Sequence, residues 1–149
     1  MKIDKADQAF SAYIRERDNW TCQRCKTKYE PGSQGLHCSH FFGRRNESTR
    51  FEPLNCTAIC FGCHKHFDET NRMDYMRFKM EQLGEEKFKW LEIQVNSYKK
   101  KDRAMSLLVV RALLNELLDE RGSLSDYTKK FLIKQTYEGG KSKTNKKRH

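Results

Sequence analysis

Apolar residues are scarce in this chain of 149 residues: only 36% are hydrophobic, whereas 34% are charged. That share is thin for a self-sufficient core and predicts stabilisation by a metal ion, a partner subunit or both. No apolar run approaches the length of a membrane-spanning helix, about 18 residues, so we expect no membrane span. The polar N-terminal segment also lacks the apolar stretch of a secretory signal. We therefore expect a cytoplasmic, reducing environment, in which the six cysteines are metal ligands or free thiols rather than disulfides.

Acidic residues are outnumbered, with 20 Asp and Glu against 30 Lys and Arg, and the formal net charge is +10. A surplus of this size favours a polyanionic partner, most often nucleic acid. The alternative interpretation is a basic protein whose charges are merely scattered over its surface.

Helical periodicity dominates the chain, which predicts a mostly helical α+β fold without internal repeats. The predicted elements are a helix over 5–18, a short strand over 36–42, a loop over 43–55 with at most one further strand, a helix from residue 60, helices over 73–83, 85–99 and 103–121, and a last helix to about residue 136. The basic tail 137–149 is predicted to be disordered.

The segment 103–121 carries more apolar residues than one helix face of a small domain can bury. Gly122 follows it and is a typical helix stop. The segment is therefore either deeply buried or shared with a second subunit, and a homodimer is expected in the second case.

Two Cys-x-x-Cys pairs are the clearest chemical signal in the sequence. Cys22, Cys25, Cys60 and Cys63 have the spacing of two turns that bind one tetrahedral zinc ion, with 34 residues between the pairs. A redox pair is the alternative, but the chain lacks the strand–helix–strand context for one. Cys38 and Cys56 fall outside this spacing and are interpreted as small buried apolar residues.

The long segment between the cysteine pairs, together with the residue that follows it, contains histidine and asparagine residues in a recognisable order. Asn55 follows His40 by 15 residues, and His64 follows Asn55 by nine, directly after the last cysteine. This His, Asn, His order inside a pair of cysteine turns resembles the HNH nuclease motif of the ββα-metal fold. The resemblance covers about residues 10–70, including the segment RERDNWTCQRC.

Two longer segments resemble the NinG family, also called Rap, of recombination nucleases from lambdoid phages. They are QAFSAYIRERD and HCSHFFGRRNESTRFEPLN, where the family shows a similar FIRERD segment, a Gly-His-aromatic triplet and an RF…N segment. The resemblance implies cleavage of branched DNA such as Holliday junctions and D-loops, in the host cytoplasm, with a site similar to that of phage endonuclease VII. It implies a zinc-bound nuclease core over residues 1–70 and a helical extension over 71–136.

Roles for the motif residues follow from that resemblance and from the chemistry of phosphodiester hydrolysis. His40 stands at the position of the general base, and His64 at that of a ligand to one catalytic divalent ion. Asn55 would hold the loop and orient the backbone of the base. Asp68, one helical turn after His64, is a candidate second ligand or a partner of metal-bound water.

The first-strand metal ligand departs from the usual pattern. Many HNH sites place Asp directly before the base, where this chain has Ser39. The phage family instead has an acid three residues before the base, and that position is His37. His37 is therefore the candidate ligand, and a nitrogen-rich site would favour softer ions such as Mn²⁺, Co²⁺, Ni²⁺ or Zn²⁺ without excluding Mg²⁺.

Four basic side chains are candidate DNA contacts: Arg44, Arg45, Arg50 and His66. Guanidinium groups bind phosphate in a bidentate manner and stabilise the charge of its transition state. The function that the sequence favours is a structure-selective endonuclease. An HNH enzyme that nicks ordinary duplex DNA and a zinc module that only binds DNA remain alternatives.

Overall fold

The structure is a computed structural model that describes residues 2–132, apart from the side chain of Thr70. Within this range the fold is mixed α and β and mostly helical, which confirms the predicted class at that level. The elements are α1 (Lys5–Arg17), β1 (Leu36–His40), β2 (Cys56–Cys60), α2 (Phe61–Lys65), α3 (Arg72–Leu83), α4 (Glu85–Val95) and α5 (Arg103–Arg121). Residues 126–132 are helical again, whereas the remainder of the predicted last helix and the tail 137–149 lie outside the described residues.

Helix α1 begins as predicted because Asp4 caps its first turn. The Asp4 carboxylate accepts a hydrogen bond from the Asp7 backbone, and the Asp7 carboxylate accepts one from the Asp4 backbone. Two N–H groups that a helix start leaves without partners are thereby satisfied. The buried apolar face of α1 carries Ala6, Ala9, Phe10, Tyr13 and Ile14.

Strands β1 and β2 pair antiparallel, with Leu36 opposite Cys60 and His40 opposite Cys56. β1 ends two residues before its predicted end, because loop 41–55 turns away after His40. β2 follows that loop, whereas the sequence analysis allowed a second strand only within it. α2 starts directly after β2, so the two strands and the short helix form one continuous strand–strand–helix unit.

Two apolar clusters form the core, and β2 contributes to both. The first lies between α1 and α5 and includes Phe10, Ile14, Phe51, Cys56, Val110, Leu114 and Leu117. The second lies around the cysteine pairs and includes Trp20, Leu36, Phe41, Ile59, Phe67, Tyr75 and Phe88. Because the first cluster joins α1 to α5, residues on both sides of the predicted boundary at residue 70 share one core.

The C-terminal helices lie close to their predicted bounds. Gly84 separates α3 from α4 at a φ of +81°, a backbone conformation that favours glycine. α4 ends at Val95 rather than at residue 99, since the residues that follow it are all exposed. Asp102 caps α5 through its side chain, and Gly122 ends α5 in the left-handed region at a φ of +76°.

The apolar stripe of α5 is divided between core and surface. Val110, Leu114 and Leu117 are buried against α1, whereas Met105, Leu108 and Val109 are exposed. Among the described residues, no helix combines the length and apolar character that crossing a bilayer requires.

Arg50 is the predicted DNA contact that the structure places in the core instead. Its side chain is 4% exposed, and its guanidinium donates to both carboxylate oxygens of Asp7 on α1. Burial acts to raise the pKa of Asp7, but hydrogen bonds and the charge of Arg50 outweigh it and lower that pKa. We therefore correct the assignment of Arg50: it anchors loop 41–55 to α1, and its guanidinium faces Asp7 rather than solvent.

This buried ion pair predicts a large stability difference between two similar substitutions. Asp7→Asn leaves Arg50 buried without its carboxylate and should lower the free energy of unfolding by about 3–5 kcal/mol. Asp126→Asn, which removes an exposed carboxylate beside Lys129, is the control and should change it by less than about 0.5 kcal/mol. Denaturant unfolding measures both, and equal effects would contradict the assigned role.

The same pair has a defined pH dependence. Folding lowers the pKa of Asp7, so its ionised carboxylate adds to the free energy of unfolding at any pH above its ordinary pKa of 3.8. This contribution is lost as the pH falls through the pKa that Asp7 has in the folded state. The stability gap between wild type and Asp7→Asn should therefore narrow on acidification.

Candidate metal-binding and active site

Four cysteines from separate parts of the chain meet at one point. The sulfur atoms of Cys22, Cys25, Cys60 and Cys63 all lie within 4.8 Å of one another. The Cys25 and Cys60 sulfurs are 3.8 Å apart, and the Cys25 backbone N–H points at the Cys22 sulfur at 3.5 Å. Four thiols around one point suit tetrahedral zinc, so these residues could hold a structural zinc ion, in agreement with the sequence prediction.

The cluster joins the turn after α1 to the end of β2 and the start of α2. The turn is further fixed by backbone hydrogen bonds, one of them from Gln23 to Ala58 on β2. His37 lies on β1, next to β2, and His64 follows Cys63 directly. His64 therefore lies on the same helix as Cys63, and His37 lies on the strand next to it.

The structure brings the rings of His37 and His64 into contact. Their Nδ1 atoms are 3.2 Å apart. Burial and, to a lesser extent, His64 lower the pKa of His37, which favours the neutral imidazole that a metal ion requires. Two facing ring nitrogens form a donor set that fits a divalent transition metal ion.

Asp68 contacts His64 at Nε2 and not at the Nδ1 atom that faces His37. Its carboxylate accepts a hydrogen bond from His64 Nε2 at 2.9 Å. That bond fixes the tautomer of His64 so that its Nδ1 lone pair faces His37. Asp68 is thus placed to orient the ring of His64, as carboxylates commonly do for histidines at metal sites.

Ser39 precedes His40 on β1, at the position where the HNH motif that the sequence resembles often has Asp. The residue is fully buried, and its hydroxyl is hydrogen-bonded to the hydroxyl of Tyr75 on α3. Ser39 is therefore turned into the core, and His37 is the β1 side chain that faces His64.

His40 is held by a single backbone hydrogen bond. Its Nε2 lies 2.9 Å from the carbonyl oxygen of Arg50. Since a carbonyl only accepts, Nε2 carries the proton and Nδ1 carries the free lone pair. Burial lowers the pKa of His40 to about 4, and the nearby charge of Arg44 acts in the same direction.

Asn55 has the loop-holding position that was predicted for it. Its side-chain amide donates to the carbonyls of Phe42 and Thr49, and its side-chain oxygen accepts from the Phe42 backbone. Its backbone carbonyl accepts from Phe41. Asn55 is completely buried, so both ends of the loop after His40 are fixed to one side chain in the core.

A cleft of about 660 Å³ lies over these residues. Five of the predicted site residues line it, namely His37, His40, Arg44, His64 and Asp68. Gln8, Ser11 and Arg15 of α1 form part of its wall, and Arg72 at the start of α3 lines it as well. The predicted base, the histidine pair and three guanidinium groups therefore share one cavity.

Arg15 and Arg72 are site residues that the sequence analysis missed. Arg15 is almost buried, lies 4.8 Å above the ring of Trp20 and donates to the carbonyl of Leu36. Arg72 is exposed, lies 4.4 Å above the ring of Phe41 and donates to the carbonyl of that residue. Arg15 lies within the YIRERD segment that carries the family resemblance, whereas no motif marked Arg72.

Two predicted DNA contacts lie elsewhere. His66 Nε2 is 2.9 Å from the carboxylate of Asp74, because the residue sits two positions after His64 and points toward α3. The interaction lowers the pKa of Asp74. Arg45 is exposed on the loop and is not among the residues that line the cleft, in contrast to its neighbour Arg44.

Comparison with known protein families gives a match. A family model described as the bacteriophage lambda NinG protein matches residues 2–117, well over half of the chain. The matched range contains both cysteine pairs, the three histidines of the cleft and most of α5. No curated protein and no solved structure matches the chain.

The burial of His40 predicts an unusual titration. In the zinc-loaded protein, the ring protons of His40 should report a pKa of about 4, because the buried imidazole resists protonation. Histidine-labelled NMR spectra recorded from pH 8 to pH 5 test this value, with His40→Gln identifying the signal, because a ring with a pKa of about 4 stays mostly neutral over that range. A midpoint near the ordinary pKa of 6.5 would show that the ring is exposed to solvent rather than shielded from it.

Proposed function

Because this chain belongs to the bacteriophage lambda NinG family, we propose that it is a DNA endonuclease that cuts branched recombination intermediates. Membership of the family indicates a function related to phage recombination. The proposal adds the reaction, hydrolysis of a phosphodiester bond, and the substrate class, which includes Holliday junctions and D-loops.

One observation carries the proposal: a half-buried histidine, held through Nε2 so that Nδ1 carries its lone pair, lies in the same cleft as a facing histidine pair and three arginines. A site that only binds DNA needs the arginines but has no use for either histidine arrangement. The antiparallel strands followed by α2 also agree with the ββα-metal architecture that we propose for this core.

His40 acts in this proposal as the general base. Its Nδ1 accepts a proton from water, while the Arg50 carbonyl holds the ring in place through Nε2. A pKa of about 4 makes the free protein a weak base. A bound phosphate places negative charge beside the ring and raises the pKa of His40 toward the working pH, so the base strengthens when substrate is present.

Arg44 and Arg72 bind the phosphate in this proposal. Both line the cleft, and neither is buried in an ion pair as Arg50 is. Guanidinium groups match phosphate oxygens and stabilise the charge that develops in the transition state. Arg15 adds a fixed positive charge to the wall, and the net charge of +10 favours approach to DNA.

His37 and His64 would hold the one catalytic divalent ion through their Nδ1 atoms, with Asp68 orienting His64. When bound, that ion supplies positive charge that stabilises the leaving oxygen. Imidazole ligands suit Mn²⁺, Co²⁺, Ni²⁺ or Zn²⁺ better than Mg²⁺. We therefore expect the first group of ions to support cleavage at lower concentrations than Mg²⁺ does.

A homodimer is part of the proposal, since resolving a junction requires two incisions and a symmetric dimer supplies two sites. Met105, Leu108 and Val109 of α5 form an exposed apolar face on the side away from α1. This face is the interface that we propose.

Cleavage of a four-way junction and of linear duplex with the same sequence tests the function. We expect the wild type with Mn²⁺ to cut the junction preferentially, and His40→Ala to reduce the rate about 10²–10⁴-fold while junction binding is retained. His66→Ala is the matched control, since His66 pairs with Asp74 outside the cleft and should retain the wild-type rate.

Each rival gives a different result in that assay. Equal cutting of junction and duplex would indicate a nicking enzyme of relaxed specificity. Binding without cutting in Mg²⁺, Mn²⁺, Co²⁺ and Ni²⁺ would indicate a zinc module that only binds DNA. Undiminished cutting by His40→Ala would show that another group is the base.

A further inference from the structure

Two cysteines outside the four-cysteine cluster lie beside the base. The sulfur atoms of Cys38 and Cys56 and a ring nitrogen of His40 all lie within 4.8 Å of one another. Cys56 stands opposite His40 in the sheet, and Cys38 is two residues before His40 on the same strand. Their spacing predicts that both cysteines are apolar core residues, and Cys56 does belong to the first apolar cluster.

We propose that Cys38, His40 and Cys56 form a second metal site that takes a soft divalent cation such as Cd²⁺ or Zn²⁺. Two thiolates and one imidazole are ligands that such ions prefer over oxygen donors. On binding, each thiol releases its proton to solvent and donates a lone pair to the ion.

The tautomer of His40 decides which nitrogen takes part. The Arg50 carbonyl already holds the Nε2 proton, so Nδ1 carries the lone pair that an ion can bind. This arrangement, in which a backbone carbonyl orients a histidine from its other nitrogen, is common among metal ligands.

The cleft gives an ion access to this group. Cys38 and His40 both line the cleft, whereas Cys56 is buried beneath them at 1% exposure. An ion that enters from the cleft would therefore meet two ligands at the surface of the cavity and one at its floor. The site offers two thiolates rather than four, so we expect it to fill after the four-cysteine cluster.

Occupation of this site would inhibit the enzyme, a consequence that rests on the proposed function. An ion bound to Nδ1 of His40 takes the same lone pair that accepts a proton from water. The metal and the reaction therefore compete for one atom, and excess soft metal should inhibit cleavage more strongly in the wild type than in a variant that lacks Cys38.

Thiolate-to-metal charge-transfer absorption of Cd²⁺ tests the binding directly. The full chain is first loaded with one Cd²⁺ at the four-cysteine cluster and then titrated with more Cd²⁺ under reducing conditions. The wild type should show a second absorption increment of about half the first, since two thiolates bind instead of four. Cys38→Ala should lose the increment, and His37→Ala should retain it.

An absent second increment in the wild type, or one that persists in Cys38→Ala, would overturn the proposal. If Cys38→Ala does not fold, alkylation of the wild type decides instead. The second equivalent of Cd²⁺ should protect Cys38 from the alkylating reagent, and unchanged reactivity would contradict the site.

The cleavage assay separates this inference from the proposed function. Excess Cd²⁺ should inhibit wild-type cutting of the junction in Mn²⁺ at least ten-fold more strongly than it inhibits Cys38→Ala. Equal inhibition of the wild type and of Cys38→Ala would contradict the proposed competition between the metal and the reaction at His40. If the wild type never cuts DNA, the proposed function is contradicted. The absorption increment would still decide whether the metal site exists.

Discussion

The four-cysteine cluster is the constraint on which the rest of the structure depends. It ties the turn after α1 to the junction of β2 and α2, within the second apolar cluster. A bound zinc ion would stabilise only the folded arrangement, because the unfolded chain does not present four thiolates together. Once this junction is fixed, β1 is fixed by pairing with β2, and the histidines of both elements come to face one cleft.

Two of the three imidazoles in the cleft, those of His40 and His64, are held through one nitrogen and present the other. The Arg50 carbonyl holds His40, and the Asp68 carboxylate holds His64. Arg50 lies on loop 41–55 and Asp68 on the turn after α2. The orientation of the His40 ring therefore depends on how loop 41–55 is held. Asn55 and the Arg50–Asp7 pair close it from two sides. Preorganisation of this kind is what a hydrolytic site requires, since misplaced groups lose most of their effect.

Local signals in the sequence predicted much of the fold and of the site. The bounds of α5 follow from Asp102 and Gly122, and the cysteine spacing predicted a cluster that the structure does bring together. Arg50 and Arg72 show why other parts could not be predicted, because a side chain's partner can lie far away in sequence. Arg50 finds Asp7 43 residues earlier, and Arg72 reaches the cleft only because α3 packs beside Phe41. Spacing in the sequence does not encode such contacts.

Removal of zinc while the cleft histidines are observed tests the central claim most directly. Zinc release to a chelator would be measured together with the NMR signals of His37, His40 and His64. If the cysteine cluster positions the cleft, the dispersed signals of all three rings should be lost in step with the released zinc. Retention of those signals after the four cysteines are free of metal would contradict the account, because the cleft would then be formed without the constraint assigned to it.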